Sequence, residues 1–186
     1  MAEQPTEWFR GTGSWIWGIL AFVVAALIIV LDLVGGGDLA VVAAALLFAL
    51  LAYVAVLRPR VGVQGGDLVL HHMYSTQRLP VAAVETVTVR RTFQATAGGR
   101  RYVSAAVSRS MRGALRRGDR DPARNYADFV EDRVLHHAAE ARDLAGIPAR
   151  SDQQRALADD VRRTWAWPWL AATGVLVVAL VVTIAS

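Results

Sequence analysis

Residues 58–107, RPRVGVQGGDLVLHHMYSTQRLPVAAVETVTVRRTFQATAGGRRYVSAAV, decide the fold of this 186-residue chain. Short apolar/polar alternations run through the stretch, and glycine pairs at Gly65-Gly66 and Gly98-Gly99 punctuate it. This is the period-two pattern of half-buried strands joined by hairpins. Strands are expected near residues 61–64, 68–73, 77–79, 84–93 and 101–107. Leu68 and Leu70 should face inward, as should Val84, Val87 and Val89, whose spacing breaks strict alternation and predicts a bend or bulge. Pro80 marks a strand edge or corner.

On either side of this stretch the chain is far more apolar. Overall, 54% of residues are apolar, more than an ordinary soluble domain carries, and they are gathered in three blocks. Residues 15–34 form the first block, about 20 residues, which matches the ~30 Å hydrocarbon thickness of a bilayer. Residues 39–57 form the second, and residues 165–185 the third. Trp8, Trp15 and Trp17 sit at the start of the first span, and Trp165, Trp167 and Trp169 open the third, where amphipathic indoles favour the headgroup zone. The tail at residues 1–14 carries mixed charge, and the run after it is longer than a signal-peptide core, so an uncleaved anchor is expected. The first two spans should form a helical hairpin turning at residues 35–37. Small residues four apart, Ala21/Ala25, Ala40/Ala44 and Ala45/Ala49, would let its backbones approach closely. Pro168 falls in the first turn of its helix, where no intrahelical N–H bond is lost.

Orientation follows from arginine placement. All 20 basic residues are arginine, and 19 of them lie between Arg58 and Arg163. The positive-inside rule therefore puts residues 58–163 and the N-terminus in the cytoplasm, the turn at 35–37 outside and the C-terminus outside, in a plasma (inner) membrane. The cytoplasmic segment divides by charge. Residues 58–120 hold twelve arginines against three acids, whereas residues 121–163 hold seven against nine. The basic part coincides with the strand pattern and the acidic part with helical periodicity. Asp121-Pro122 reads as an N-cap followed by proline at the first helical position, and Gly146 as the stop. Tyr126, Val130, Val134, Ala138, Ala141 and Leu144 or Ala145 make one apolar stripe. A second helix should begin at Ser151, where Ser151 and Gln154 fit a capping box, and lead through Leu157 and Val161 into the third span. The fold class is therefore an α+β membrane protein: three transmembrane helices, a small cytoplasmic antiparallel sheet and amphipathic helices.

Two spans followed by RPRV, the corner RLPVAAVETV at residues 78–87, the Gly-Gly hairpin and the Arg100-Arg101-Tyr102 triplet resemble the short membrane-tethered bacterial pleckstrin-homology-like (PH-like) proteins. The resemblance implies a bent, partly open barrel capped by a helix, acting as a binding or assembly module without catalytic residues. The chain departs from the fuller pattern in offering about five strands instead of seven and Val81 where a tryptophan often follows the proline. Inositide-binding PH domains are similar only in fold, because the first hairpin loop here, residues 64–67, has no arginine.

Arg109, Arg112, Arg116, Arg117 and Arg120 fall within 12 residues and are the candidate contacts with lipid or a protein partner. Beside an anionic leaflet each would gain on the order of 1 kcal/mol, fading within a Debye length; as a bland alternative the segment is a solvated basic linker. A nucleic-acid partner is set aside, since only Tyr102 and Phe93 are near for stacking and no recognition motif occurs. His71-His72 and His136-His137 are the only histidines. His136 with Glu140 is the obvious pairing, but no H-E-x-x-H or other metal motif is present, and neither metal nor cofactor is expected. G-x-S-x-G and P-loop signatures are missing too, and without cysteine there is no thiolate chemistry. The spans carry no charge near their centres; Asp32 lies at an end.

The reading that follows is a non-enzymatic integral membrane protein whose cytoplasmic domain binds or assembles a protein partner, or itself, at the inner leaflet, with anionic phospholipid as a further contact. The alternative is an accessory subunit of a transporter or other membrane complex, recognised through its transmembrane helices. A small hydrolase or metal enzyme using His72, His136 and His137 is the third and weakest reading.

Overall fold

The computed structural model describes residues 6–9, 14–107 and 122–185, with no side-chain description at Ser14 or residues 122–125. The chain divides into two units. Residues 1–12 and 59–164 belong to one, and residues 13–58 and 165–186 to the other.

The second unit contains three helical stretches long and apolar enough to cross a membrane: α1 (Ser14–Gly35), α2 (Leu39–Ala52) with the turn that extends it to Leu57, and α5 (Trp167–Ala185). A π-helical turn, Tyr53–Leu57, continues α2, its last N–H at Arg58 reaching the Tyr53 carbonyl five residues back. The acids at the α1–α2 turn have a structural task. Asp38 caps α2 by accepting the Ala40 N–H at 2.7 Å, and Asp32 accepts the Asp38 N–H at 2.9 Å. With Gly36 and Gly37 at positive φ, this satisfies donors that the turn would otherwise leave open. Close helix packing uses part of the expected set, Ala25 and Ala45, together with Ala43 and Gly18. Ala25, Ala43 and Ala45 are buried, but Ala44 is exposed. At Gly18 a Cβ would stand 2.6 Å from Leu57 Cγ, so glycine there is what lets the end of the π-turn approach α1.

The α+β unit holds two antiparallel sheets. The larger has the order β1-β2-β3-β4-β8, with β1 at Glu7–Phe9, β2 at Arg60–Gln64, β3 at Asp67–His71, β4 at Ser75–Pro80 and β8 at Arg162–Trp165; Trp165, the last residue of β8, is assigned to the helical unit. The smaller has the order β5-β6-β7, at Val84–Val89, Phe93–Ala97 and Arg100–Ser104. Both glycine pairs sit at hairpin tips with positive φ, as two-residue turns between right-twisted strands require. The expected bulge is present: register shifts between Val84 and Thr86, and Glu85, the extra residue, accepts the Gly98 N–H at 3.2 Å.

Four local expectations are corrected. The strand expected over 84–93 is two strands, because Arg90-Arg91-Thr92 forms a turn without glycine or proline to signal it. Residues 7–9, read as part of a polar tail, form β1 on the edge of the larger sheet, with Trp8 opposite Gly62. The helix from Ser151 does not run into the third span: α4 (Asp152–Ala156) passes into a 3-10 turn over Leu157–Asp160 and then into β8, so α5 starts at Trp167. The capping box is half made. Ser151 Oγ accepts the Gln154 N–H at 3.1 Å, but the Gln154 side chain turns inward instead.

Helix α3 (Pro122–Ala145) closes the core, and Gly146 follows it at positive φ. Ala127, Val130, Val134 and Ala138 are fully buried and pack with Leu68, Leu70, Leu79, Val87, Val89 and Phe93. The stripe ends at Ala141, since Leu144 is 79% exposed. Each fully buried aliphatic or aromatic side chain contributes roughly 1.5–3 kcal/mol of transfer free energy, enough to order a sheet pair too small to be stable alone. Polar bonds fix where α3 lies: Glu131 accepts the Val89 N–H at 3.2 Å, and Arg142 donates to the Val84 carbonyl at 3.0 Å. Gln154 adds the last stitch. Fully buried, it accepts the Arg150 N–H at 2.6 Å and donates to the carbonyls of Ala82 and Val84 at 3.2 and 3.1 Å.

Candidate functional site

The five arginines singled out by the sequence, Arg109, Arg112, Arg116, Arg117 and Arg120, lie outside the described residues. The chain enters that segment just after Ala106 and Val107, which are buried in the core, and leaves it at the start of α3.

A second basic feature is built by elements of the α+β unit alone. Gly98-Gly99 turns the chain so tightly that β7 begins at Arg100, and a Cβ on Gly98 would stand 2.6 Å from Ala158 Cβ. The 3-10 turn carrying Ala158 is thereby drawn against this hairpin, which brings Asp159, Val161 and Arg163 towards β7. Together with Gln77 of β4 these residues and Arg100, Arg101, Tyr102 and Val103 line a groove of about 440 Å³. Three arginines and one acid are among these residues, and Val103, 45% exposed, supplies an apolar wall. A neighbouring recess of about 350 Å³ is even in charge: Asp152 and Asp159 offset Arg100 and Arg155, and Arg155 approaches Asp152 at 3.4 Å.

The third cluster ties β1 to α3. Arg133 Nε donates to Glu7 Oε2 at 2.9 Å and its Nη2 to Glu7 Oε1, while His137 Nε2 lies 3.3 Å from Oε2. The hydrogen bond from Arg133 holds the Glu7 carboxyl at about 2, below an ordinary 4.5; partial burial opposes this and the His137 contact assists it. Beside the pair, Trp8, Phe9, Tyr126 and Phe129 line an open groove of about 500 Å³. On the other face of the sheet Trp8 packs over Gly62, where a Cβ would sit 2.5 Å from its ring, and takes Arg60 at 4.5 Å from the ring centroid and His71 at 5.2 Å.

The histidines separate into unrelated settings. His71 Nδ1 pairs with Thr76 Oγ1 at 2.8 Å, and on α3 it is His137, not His136, that meets Glu140, at 3.8 Å. Among the described residues no three His, Asp or Glu side chains converge on a point where a metal could sit. Sequence reasoning passed over Glu7 and the β7–β8 groove and grouped Trp8 with the interfacial tryptophans, whereas it stands on β1 against Gly62. Gly62 inside a strand was the available signal for Trp8, because a missing side chain there often marks close approach by a neighbour.

No known family, curated protein or solved structure matches this chain.

Proposed function

We propose that this is an integral membrane protein with three spans, whose PH-like α+β unit works as a non-enzymatic binding and assembly module at the cytoplasmic face. It meets a protein partner there, with anionic phospholipid as a further contact. One observation carries the reading: 19 of 20 arginines fall in the segment between the second and third apolar helices, none in the turn between the first two. Two small sheets closed by one helix, with a polar groove at their edge, support a module that holds a ligand more than one that transforms it. The family resemblance points the same way.

The chain has no cysteine, so single introduced thiols report topology without background. Gly36→Cys should react with an impermeant maleimide on intact cells, and Arg91→Cys only after permeabilisation. The reverse pattern would sink the orientation. For the binding role, charge reversal of Arg112, Arg116 and Arg117 should reduce association with anionic membrane or with a crosslinked partner; unchanged association would remove those arginines from the proposal.

A further inference from the structure

We infer that the groove between β7 and β8 is a binding site for a phosphate-bearing anion, best matched by the headgroup of an anionic phospholipid and built from residues other than the arginines at 109–120. The inference rests on the reading of the protein as membrane-anchored.

Charge and geometry select the class of ligand. Arg100, Arg101 and Arg163 line the groove against the single carboxylate of Asp159. Guanidinium groups offer paired N–H donors in a plane, which suits two oxygens of one phosphate. Among the described residues neither the Arg100 nor the Arg101 guanidinium is engaged in an ion pair, although both stand on an ordered strand. Successive strand residues face opposite ways, so Arg100 and Arg101 would hold a ligand from the two sides of the β7 edge that lines the groove. Gln77 and Tyr102 add uncharged polar groups at the same wall.

Shape then separates a lipid from a free anion. At about 440 Å³ the groove falls within the ~300–1,000 Å³ typical of small-molecule sites, larger than one phosphate needs. Val103 and Val161 give it an apolar strip beside the arginines, which inorganic phosphate would not use and a glycerol-ester backbone would. Arg163 is also four residues in sequence from Trp167, the first residue of α5, so the groove belongs to a segment leading directly into an apolar helix. The adjacent recess lined by Asp152, Asp159, Arg100 and Arg155 lacks the excess positive charge and serves as an internal contrast.

The test uses the full chain in detergent. Native mass spectrometry with equimolar phosphatidylglycerol and phosphatidylcholine reads the affinity for each lipid, and calorimetry reads inorganic phosphate alone. Wild type should retain phosphatidylglycerol preferentially. R100Q/R101Q should weaken that affinity about thirtyfold, roughly fivefold per arginine, with an unchanged circular dichroism spectrum. R90Q/R91Q, the same charge change in the β5–β6 turn, should stay within about twofold of wild type. Phosphate binding without vesicle or lipid, lost in R100Q/R101Q, would support the site with a soluble ligand as its source. If R100Q/R101Q matches wild type while R112Q/R116Q/R117Q loses the lipid, the groove is overturned and the membrane-contact reading stands. If no version of the chain prefers anionic lipid or binds phosphate, both fall.

Discussion

Valine does opposite things in the two halves of this molecule. In the α+β unit Val61, Val84, Val89, Val130 and Val134 are fully buried, whereas in α5 Val175, Val178, Val181 and Val182 are at least 60% exposed. The residue type is the same; what differs is the periodicity that carries it. Alternation at two, or a stripe at three and four, leaves a polar face for water and gathers the apolar face into a core. An apolar helix without a polar face has no such division, and its surface suits a lipid solvent.

The sharpest way to break the contrast is to truncate one apolar side chain in each half. Phe93→Ala should cost the α+β unit about 3–5 kcal/mol, because Phe93 is fully buried and its neighbours cannot collapse completely. Val178→Ala on the exposed surface of α5 should cost under about 0.5 kcal/mol. Denaturant unfolding of the full chain in detergent, followed by hydrogen exchange of the sheet amides, compares them; equal losses would end the distinction. Within the α+β unit, Gln154→Ala withdraws donors from two carbonyls and an acceptor from Arg150, an expected loss of about 1–3 kcal/mol that thermal unfolding reads. Gly62→Ala should cost about 1–3 kcal/mol through overpacking against Trp8, and it should act locally. Limited proteolysis should cut near β1 faster while the remaining strands stay protected; an unchanged digest would show that β1 tolerates the methyl group.

The smallest expected effect is one of pH. Glu7 has its carboxyl lowered in the folded chain, so its pairing stabilises fully above its unfolded value near 4.5 and is lost as pH falls from there through about 2. The Trp8 indole resonance should report release of β1 across that window. Glu7→Gln should flatten the response, and persistence of the transition in that variant would assign it to another group.

How far the sequence could be read follows from the same periodicities. The three apolar blocks, the two hairpin glycine pairs, the bulge near Val84 and the buried stripe at Val130, Val134 and Ala138 were all visible, since each repeats a spacing or a conformational demand. What escaped was set by single partners. β1 and β8 are three and four residues long, and β8 is exposed throughout, so neither shows alternation. Gln154 looked like a cap because position three after serine favours it; its actual neighbours, Ala82 and Val84, are about seventy residues away in sequence. The groove shares that origin: sheet order sets Gln77 of β4 beside Arg163 of β8, and Arg101 comes to them from the other sheet.

The placement of β1 and β8 at the two margins of one sheet has a mechanical consequence. Strand β1 is followed in sequence by α1 and β8 by α5, so a pull along either helix would load the sheet at an outer strand. A pull along an outer strand strains its hydrogen bonds together, and a pull across it opens them one after another. Three paired residues and the Glu7–Arg133 link hold β1, making it the weak seam that would part first while Val61, Leu68 and Leu70 stay sealed beneath.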